Sequence, residues 1–158
     1  MSQAMGESPA APTRAALADA RVRRVVEFFE SLRAEDLPRL GQLYADDADF
    51  KDPFNEVRGV AAIERIFAHM FRTLKRPRFV IRDVLVQDEQ CFLSWDFRFD
   101  TTRGSPGGMH IRGASHLHFA SDGRIARHRD YWDAAEELYE KLPLLGTLMR
   151  WLKRRAST

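Results

Sequence analysis

The spacing of apolar residues divides the chain into a helical first part and a stranded second part. Apolar residues recur at helical spacing from about residue 13 to Leu32, from residue 36 to Tyr44, and from Ile63 to Leu74. We expect Asp36 to be the N-cap of the second helix and Arg58-Gly59 to form the turn before the third. The pattern therefore predicts three helices ahead of residue 75.

The second part changes to the two-residue period of half-buried strands. Four segments follow this period, and short turn sequences separate them. The predicted strands are Arg78 to Asp88, Gln90 to Thr101, Met109 to Ala120 and Arg124 to Tyr131. Strands this close together favour an antiparallel meander. Helices followed by such a sheet indicate an α+β fold in which the helices cover one face.

The two ends of the chain differ from this central region. Residues 1–13 are rich in Ala, Ser, Pro and Gly, and we expect a disordered tail there. Residues 14–133 form the predicted domain, and residues 134–155 form a helical extension that Pro143 interrupts. The extension is apolar with a basic end, so it could contact an anionic membrane surface. Packing over the domain or against a second subunit is the favoured interpretation.

Composition narrows the class of protein. The 158 residues are 44% hydrophobic, which is enough for one domain with a substantial core. A formal net charge of +2 is too small to predict nucleic-acid binding. Cys91 is the one cysteine, so no intrachain disulfide can form, and we expect its side chain to be buried. Neither a secretory signal nor a membrane span is recognisable, and a cytoplasmic protein is expected.

The segment from residue 44 to residue 54 carries the first candidate catalytic residue. Asp52 precedes Pro53, which keeps the dihedral angles of Asp52 out of the helical region. Phenylalanines stand two positions before and two positions after it, and apolar surroundings raise the pKa of a carboxyl group, as a proton-moving site requires. Asp52 is therefore predicted to be a general base. Alternatively, its carboxylate caps the third helix or pairs with Arg58.

The last predicted strand carries a second candidate pair. Strand alternation places His128, Asp130 and Trp132 on one face, and the intervening residues on the other. Histidine titrates near neutral pH, so His128 and Asp130 could act as an acid–base pair. The alternative is that His128 belongs to the wall of the domain and Asp130 is a polar anchor at its open end.

The order of the elements and one motif resemble a known superfamily. The run Leu43-Tyr-Ala-Asp-Asp-Ala-Asp-Phe-Lys-Asp-Pro53, followed by Arg58-Gly-Val-Ala-Ala-Ile63, resembles nuclear-transport-factor-2-like (NTF2-like) proteins. Within them it resembles the ketosteroid isomerase and SnoaL-like polyketide cyclase branch. The resemblance spans about Val22 to Trp132. It implies a cone of helices and curved, mostly antiparallel sheet around an apolar cavity, and a homodimer.

The resemblance also implies roles for individual residues. The general base of the isomerase corresponds to Asp52, and its two oxyanion donors correspond to Phe28 and Ser115. The ending His128-Arg-Asp-Tyr-Trp-Asp133 resembles the epoxide-hydrolase and cyclase branches, whose cavity-facing aspartate corresponds to Asp130. Phenylalanine cannot donate a hydrogen bond, which favours an alternative function as a non-catalytic ligand-binding or dimerisation module.

A cavity of this kind predicts an apolar small-molecule ligand of lipid, terpenoid, steroid or polyketide type. Its expected ligand-binding residues are Phe28, Phe50, Phe54, Trp95, Phe97, Ser115, Leu117 and Trp132. If the domain is an enzyme, its chemistry is predicted to be cofactor-free proton transfer of an isomerase, cyclase or hydrolase type. No metal is expected, because the family register places His110, His116 and His118 on the outer face of their strand.

Overall fold

The computed structural model describes residues 16–100 and 108–137, and two of its strands lie between the second and third α-helices. The helical elements are a 3-10 turn at Ala16–Ala18, α1 at Ala20–Ser31, a 3-10 helix at Ala34–Arg39, α2 at Leu40–Leu43, α3 at Val60–Thr73 and α4 at Ala134–Glu137. The predicted tail at residues 1–13 and the extension after residue 137 lie outside the described residues.

Six strands form one curved, open sheet. They are β1 at Tyr44–Lys51, β2 at Glu56–Arg58, β3 at Lys75–Gln87, β4 at Gln90–Asp100, β5 at Met109–Phe119 and β6 at Ile125–Tyr131. The spatial order is β2-β1-β6-β5-β4-β3. Strands β3 to β6 form the antiparallel meander that the sequence predicts, whereas β1 pairs in parallel with β6. The predicted α+β class is confirmed.

The helix α1 is stabilised by its N-cap and by the burial of its apolar face. The carboxylate of Asp19 accepts a hydrogen bond from the Arg21 N–H at 2.8 Å, as an N-cap residue does. Val22, Val25 and Phe29 lie on the buried face of the helix. The helix packs against β3, and the ring of Phe29 contacts that of Phe79 on this strand, with centroids 5.9 Å apart.

The second helical segment begins earlier than predicted. Arg33 is the N-cap of the 3-10 helix, and Asp36 lies three residues inside it, where its carboxylate accepts the Arg33 N–H at 3.0 Å. The prediction of Asp36 as an N-cap is therefore wrong, because this side chain bonds back to the helix start. The predicted turn before α3 is present, and Gly59 adopts a φ of 92°, which glycine tolerates at little cost.

Helices and sheet enclose one apolar core. Its fully buried side chains include Val22, Leu40, Tyr44, Ile63, Leu117 and Ile125. Cys91 is buried as expected, and burial raises the pKa of its thiol to about 11. Within the described residues, no helix has the length and apolar character that crossing a membrane requires.

The outer face of the sheet carries a charged cluster centred on Asp96. Its carboxylate contacts Arg82, Arg98 and His110, which come from three adjacent strands. Burial alone would raise the pKa of Asp96, but hydrogen bonds from Arg82 and His110 outweigh burial and lower the pKa to about 2. The cluster ties β3, β4 and β5 together behind the inner face.

Candidate functional site

A cavity of about 320 Å³ lies between the helices and the inner face of the sheet. This volume falls at the lower end of the range of small-molecule sites, about 300–1,000 Å³. Much of its wall is aromatic: Phe29, Phe50, Phe54, Phe67, Phe79, Trp95, Phe97, Phe99 and Trp132. Its polar lining residues are Asp52, Asn55, His69, Thr73, Ser115, His128 and Asp130.

His128 and Asp130 contact one another in the cavity wall. Nε2 of His128 lies 2.7 Å from Oδ1 of Asp130, and the hydroxyl of Ser115 donates to the same oxygen at 2.5 Å. No residue of the described part of the chain donates to Oδ2 of Asp130. That second oxygen can therefore accept a proton or a hydrogen bond from a molecule in the cavity. Strand alternation on β6 correctly predicts that the two side chains share a face.

Tyr44 completes a chain of hydrogen bonds behind His128. Its phenol oxygen lies 2.6 Å from Nδ1 of the imidazole. Burial, together with the charge of Asp130, raises the pKa of Tyr44 well above its usual range, so the phenol keeps its proton. A carboxylate can only accept hydrogen bonds, so Nε2 of a neutral His128 carries the proton. Its Nδ1 then accepts a hydrogen bond from the phenol of Tyr44. Sequence reasoning missed Tyr44, because the parallel pairing of β1 with β6 leaves no local signal.

Trp95 extends the chain on the other side of Asp130. Its indole N–H donates to the hydroxyl of Ser115 at 2.9 Å. Gly113 lies opposite Trp95 on β5, and a Cβ at that position would lie 2.3 Å from the indole ring. The glycine therefore provides the space in which the indole lies. Because the hydroxyl of Ser115 donates to Asp130, it is not the oxyanion donor that the resemblance implies.

Asp52 also lines the cavity, but its carboxylate organises its own loop. Oδ1 accepts the backbone N–H groups of Phe54 at 2.7 Å and of Asn55 at 2.6 Å. The side-chain amide of Asn55 donates to both carboxylate oxygens, at 3.0 and 2.9 Å. Arg58 pairs with Asp47 instead, and α3 has no side-chain cap. The interpretations that Asp52 caps the third helix or pairs with Arg58 are therefore wrong.

The cavity contains all of the predicted ligand-binding positions except one. Those that line it are Phe50, Phe54, Trp95, Phe97, Ser115, Leu117 and Trp132. Phe28 does not line it, and its predicted contact with a ligand stays untested. The next residue of α1, Phe29, takes the inward position, and Phe28 packs edge-on against it with ring centroids 5.8 Å apart.

The histidines of β5 lie on the outer face, as the family register implies. His116 is 2.9 Å from the side-chain oxygen of Gln90 and stacks on Phe92. His110 contacts Asp96 at 3.0 Å. In residues 16–100 and 108–137, no group of three or more His, Cys, Asp or Glu side chains is placed to hold a metal ion.

Comparison with known sequences identifies one matching family. The family model for the SnoaL-like domain matches residues 25–128, which is most of the chain. No curated protein matches the sequence at a significant level.

Solved structures of similar fold include three that cover most of this domain. A protein with a ketosteroid isomerase-like fold from Catenulispora acidiphila, in complex with trimethylamine, is 16% identical, with 76% of this chain and 90% of that chain covered and a TM-score of 0.64. An NTF2-like protein of unknown function from Burkholderia pseudomallei is 18% identical, with 73% and 92% covered and a TM-score of 0.64. TerC, co-crystallized with polyporic acid, is 16% identical, with 73% and 93% covered and a TM-score of 0.63. At these identities the likeness concerns the fold, and the predicted NTF2-like cone is confirmed.

Proposed function

The chain belongs to the SnoaL-like domain family, and from that starting point we propose that it binds an apolar small molecule and transfers a proton through Asp130, supported by His128, without a cofactor. The observation that carries the proposal is the hydrogen-bonded chain Tyr44–His128–Asp130 at the wall of a cavity lined mainly by apolar side chains. One protein of similar fold is in complex with trimethylamine, and another, TerC, is co-crystallized with polyporic acid.

The wall of the cavity supports an apolar ligand body. Aromatic and aliphatic side chains dominate the lining, and burying an apolar surface against them contributes roughly 25 cal/mol per Å². Polar groups are few, and most of them are already hydrogen-bonded to one another. A ligand that fills this space therefore gains most of its affinity from apolar contact, and the polar groups fix its orientation.

Asp130 is the group best placed to move a proton. Its Oδ1 is fixed by two donors, His128 and Ser115, which leaves Oδ2 to take a hydrogen from a carbon atom of the ligand. The C–H bond breaks, its electron pair moves into the ligand, and the protonated Oδ2 returns the hydrogen to a different atom. A positioned acid or base of this kind contributes about 10²–10⁴-fold to the rate.

The role of His128 is to support the charge on Asp130. Its Nε2–H donates to the carboxylate, and its Nδ1 accepts a hydrogen bond from Tyr44. Both ring nitrogens are therefore hydrogen-bonded within the protein. The prediction that Asp52 is the base stays untested. We favour Asp130 because the oxygens of Asp52 hold a loop together.

A generic carbon acid tests this proposal without knowledge of the natural ligand. In 5-nitrobenzisoxazole, a base removes the hydrogen on carbon 3, the N–O bond breaks, and a coloured cyano-nitrophenolate forms. We expect the protein to accelerate this elimination, and Asp130→Asn to lower the rate constant about 10²-fold. The matched control is Asp47→Asn, which removes one carboxylate charge on the exposed side of β1 and should leave the rate within twofold.

Equal rates for the wild type and Asp130→Asn, with both proteins folded by circular dichroism, would overturn the catalytic part of the proposal. The domain would then be a binding module of the same fold. Loss of activity in Asp130→Asn but not in Asp47→Asn supports the assignment of the base.

A further inference from the structure

We infer that the cavity selects a small molecule that carries a positively charged group, and that Asp52, Phe54 and Trp132 hold this group at the cavity mouth. The inference rests on the proposed function, because it names the chemical class of ligand for the same cavity. An apolar organic amine, protonated at neutral pH, has the required chemistry.

The formal charges that line the cavity are negative. Asp52 and Asp130 both contribute to the wall, and within the described residues no lysine or arginine does. The basic residues next to these two aspartates in the sequence, Lys51 and Arg129, do not line the cavity. Lys51 pairs with Glu56 at 2.6 Å, and Arg129 lies on the opposite face of β6 from Asp130. Since opposite charges attract most strongly where water is excluded, this lining favours a cation and disfavours a carboxylate ligand.

The loop around Asp52 presents a fixed and uncompensated negative charge. Every described donor to its carboxylate is an N–H group of an uncharged residue, either Phe54 or Asn55. No described lysine or arginine forms an ion pair with it. The carboxylate is therefore held in position before a ligand arrives, which lowers the entropy cost of binding a cation.

Two aromatic rings stand beside this carboxylate. Phe54 and Trp132 both line the cavity with Asp52, and their ring centroids are 5.4 Å apart at an angle of 73°. Phe54 is 55% exposed, and its backbone N–H donates to the carboxylate of Asp52. A carboxylate and a pair of aromatic rings in the wall of one cavity provide both an ion-pair partner and cation–π surfaces for an ammonium group.

The cavity mouth and Asp130 then have separate roles: the mouth binds the ammonium group, and Asp130 transfers the proton. The carboxylate of Asp130 is already bonded to His128 and Ser115, whereas that of Asp52 bonds only to its own loop. A ligand anchored by its ammonium group at Asp52 extends its apolar part inward along the aromatic wall. Its reacting carbon can then approach Oδ2 of Asp130.

Three probes of similar size but different charge test the inference. They are 3-phenylpropylamine, a cation at pH 7, the neutral 3-phenylpropan-1-ol and the anion 3-phenylpropanoate. Each is titrated into ¹⁵N-labelled protein, and the indole N–H signal of Trp132, assigned with Trp132→Phe, reports binding at the mouth. We expect the amine to bind roughly tenfold more tightly than the alcohol, and the propanoate to bind most weakly.

Two variants and a control locate the source of this preference. Asp52→Asn should remove the preference for the amine while the affinity for the alcohol stays within twofold. Phe54→Leu keeps the backbone N–H that Asp52 accepts and should reduce the preference about threefold. Asp47→Asn should leave the preference unchanged.

The outcomes separate this inference from the proposed function. If the alcohol binds the wild type as tightly as the amine does, the inference is overturned, while small-molecule binding stands. If none of the three probes binds, the proposed function is contradicted and the inference with it. Should Asp52→Asn fail to fold, Phe54→Leu decides, because an undiminished preference in that variant would overturn the role of the mouth.

Discussion

The phenol oxygen of Tyr44 lies 2.6 Å from Nδ1 of His128, on the side of the imidazole that faces away from Asp130. Asp130 and His128 both line the cavity, and the phenol lies behind the imidazole, outside the cavity lining. Both ring nitrogens of His128 therefore bond within the protein. The histidine acts on Asp130 and not directly on a ligand, which makes Tyr44 a positioning residue for the carboxylate.

Tyr44→Phe tests this arrangement. The change leaves Nδ1 of a buried imidazole without its donor, so the free energy of unfolding should fall by about 1–3 kcal/mol. The imidazole also loses the hydrogen bond that orients it against Asp130, and we expect the benzisoxazole rate to fall roughly tenfold, which is less than the loss of the base itself would cause. Urea unfolding and the ¹⁵N signals of the His128 ring measure the two effects. An unchanged Nδ1 signal with an unchanged rate would contradict the role of Tyr44.

Gly113→Ala tests the packing that supports the other end of the chain. A Cβ at residue 113 would lie 2.3 Å from the indole of Trp95, so the ring must move. We expect a loss of about 1–3 kcal/mol in the free energy of unfolding, and a shifted indole N–H signal of Trp95 as its bond to Ser115 is disturbed.

Gly41→Ala is the matched control for that substitution. Nothing lies within 4 Å of a Cβ at Gly41, which belongs to the helix α2. Alanine is favoured over glycine in a helix by up to about 1 kcal/mol, so this variant should be as stable as the wild type or more so. Equal losses in both variants would show that contact with the indole is not the cause.

Asp96→Asn tests the charged cluster behind the sheet. The folded-state pKa of Asp96 is lowered to about 2, whereas an unfolded aspartate titrates near about 3.9. Its contribution, on the order of 2 kcal/mol, is therefore present above about pH 4 and is lost as the pH falls toward 2. Urea unfolding should show the full difference from wild type at pH 7 and a smaller one at pH 2.5. A difference that does not depend on pH would contradict this explanation.

Much of the site follows from alternation along single strands. The two-residue period correctly places His128 and Asp130 on one face of β6, and Trp132, immediately after the strand, lines the cavity with them. Such predictions succeed because each strand is half-buried, so a one-residue error would turn every apolar side chain toward water.

The remaining features depend on contacts between distant segments. Tyr44 contacts His128 only because β1 pairs in parallel with β6, and the sequence of neither strand predicts that pairing. On α1 a step of one residue rotates a side chain by only 100°, so Phe28 and Phe29 both fit the apolar stripe and the sequence does not decide between them. The loop around Asp52 is held by hydrogen bonds from backbone N–H groups. Every residue except proline has such a group, so the sequence does not show which of them the carboxylate accepts.

The most direct test of the account compares Asp130→Asn with Asp52→Asn in the benzisoxazole elimination, at one pH and with both proteins shown to be folded. Because this substrate is uncharged, the proposed anchoring role of Asp52 should not affect it. We predict a fall of about 10²-fold or more for Asp130→Asn and a change within about threefold for Asp52→Asn. The reverse order, a large fall for Asp52→Asn with little change for Asp130→Asn, would contradict the account and make Asp52 the base.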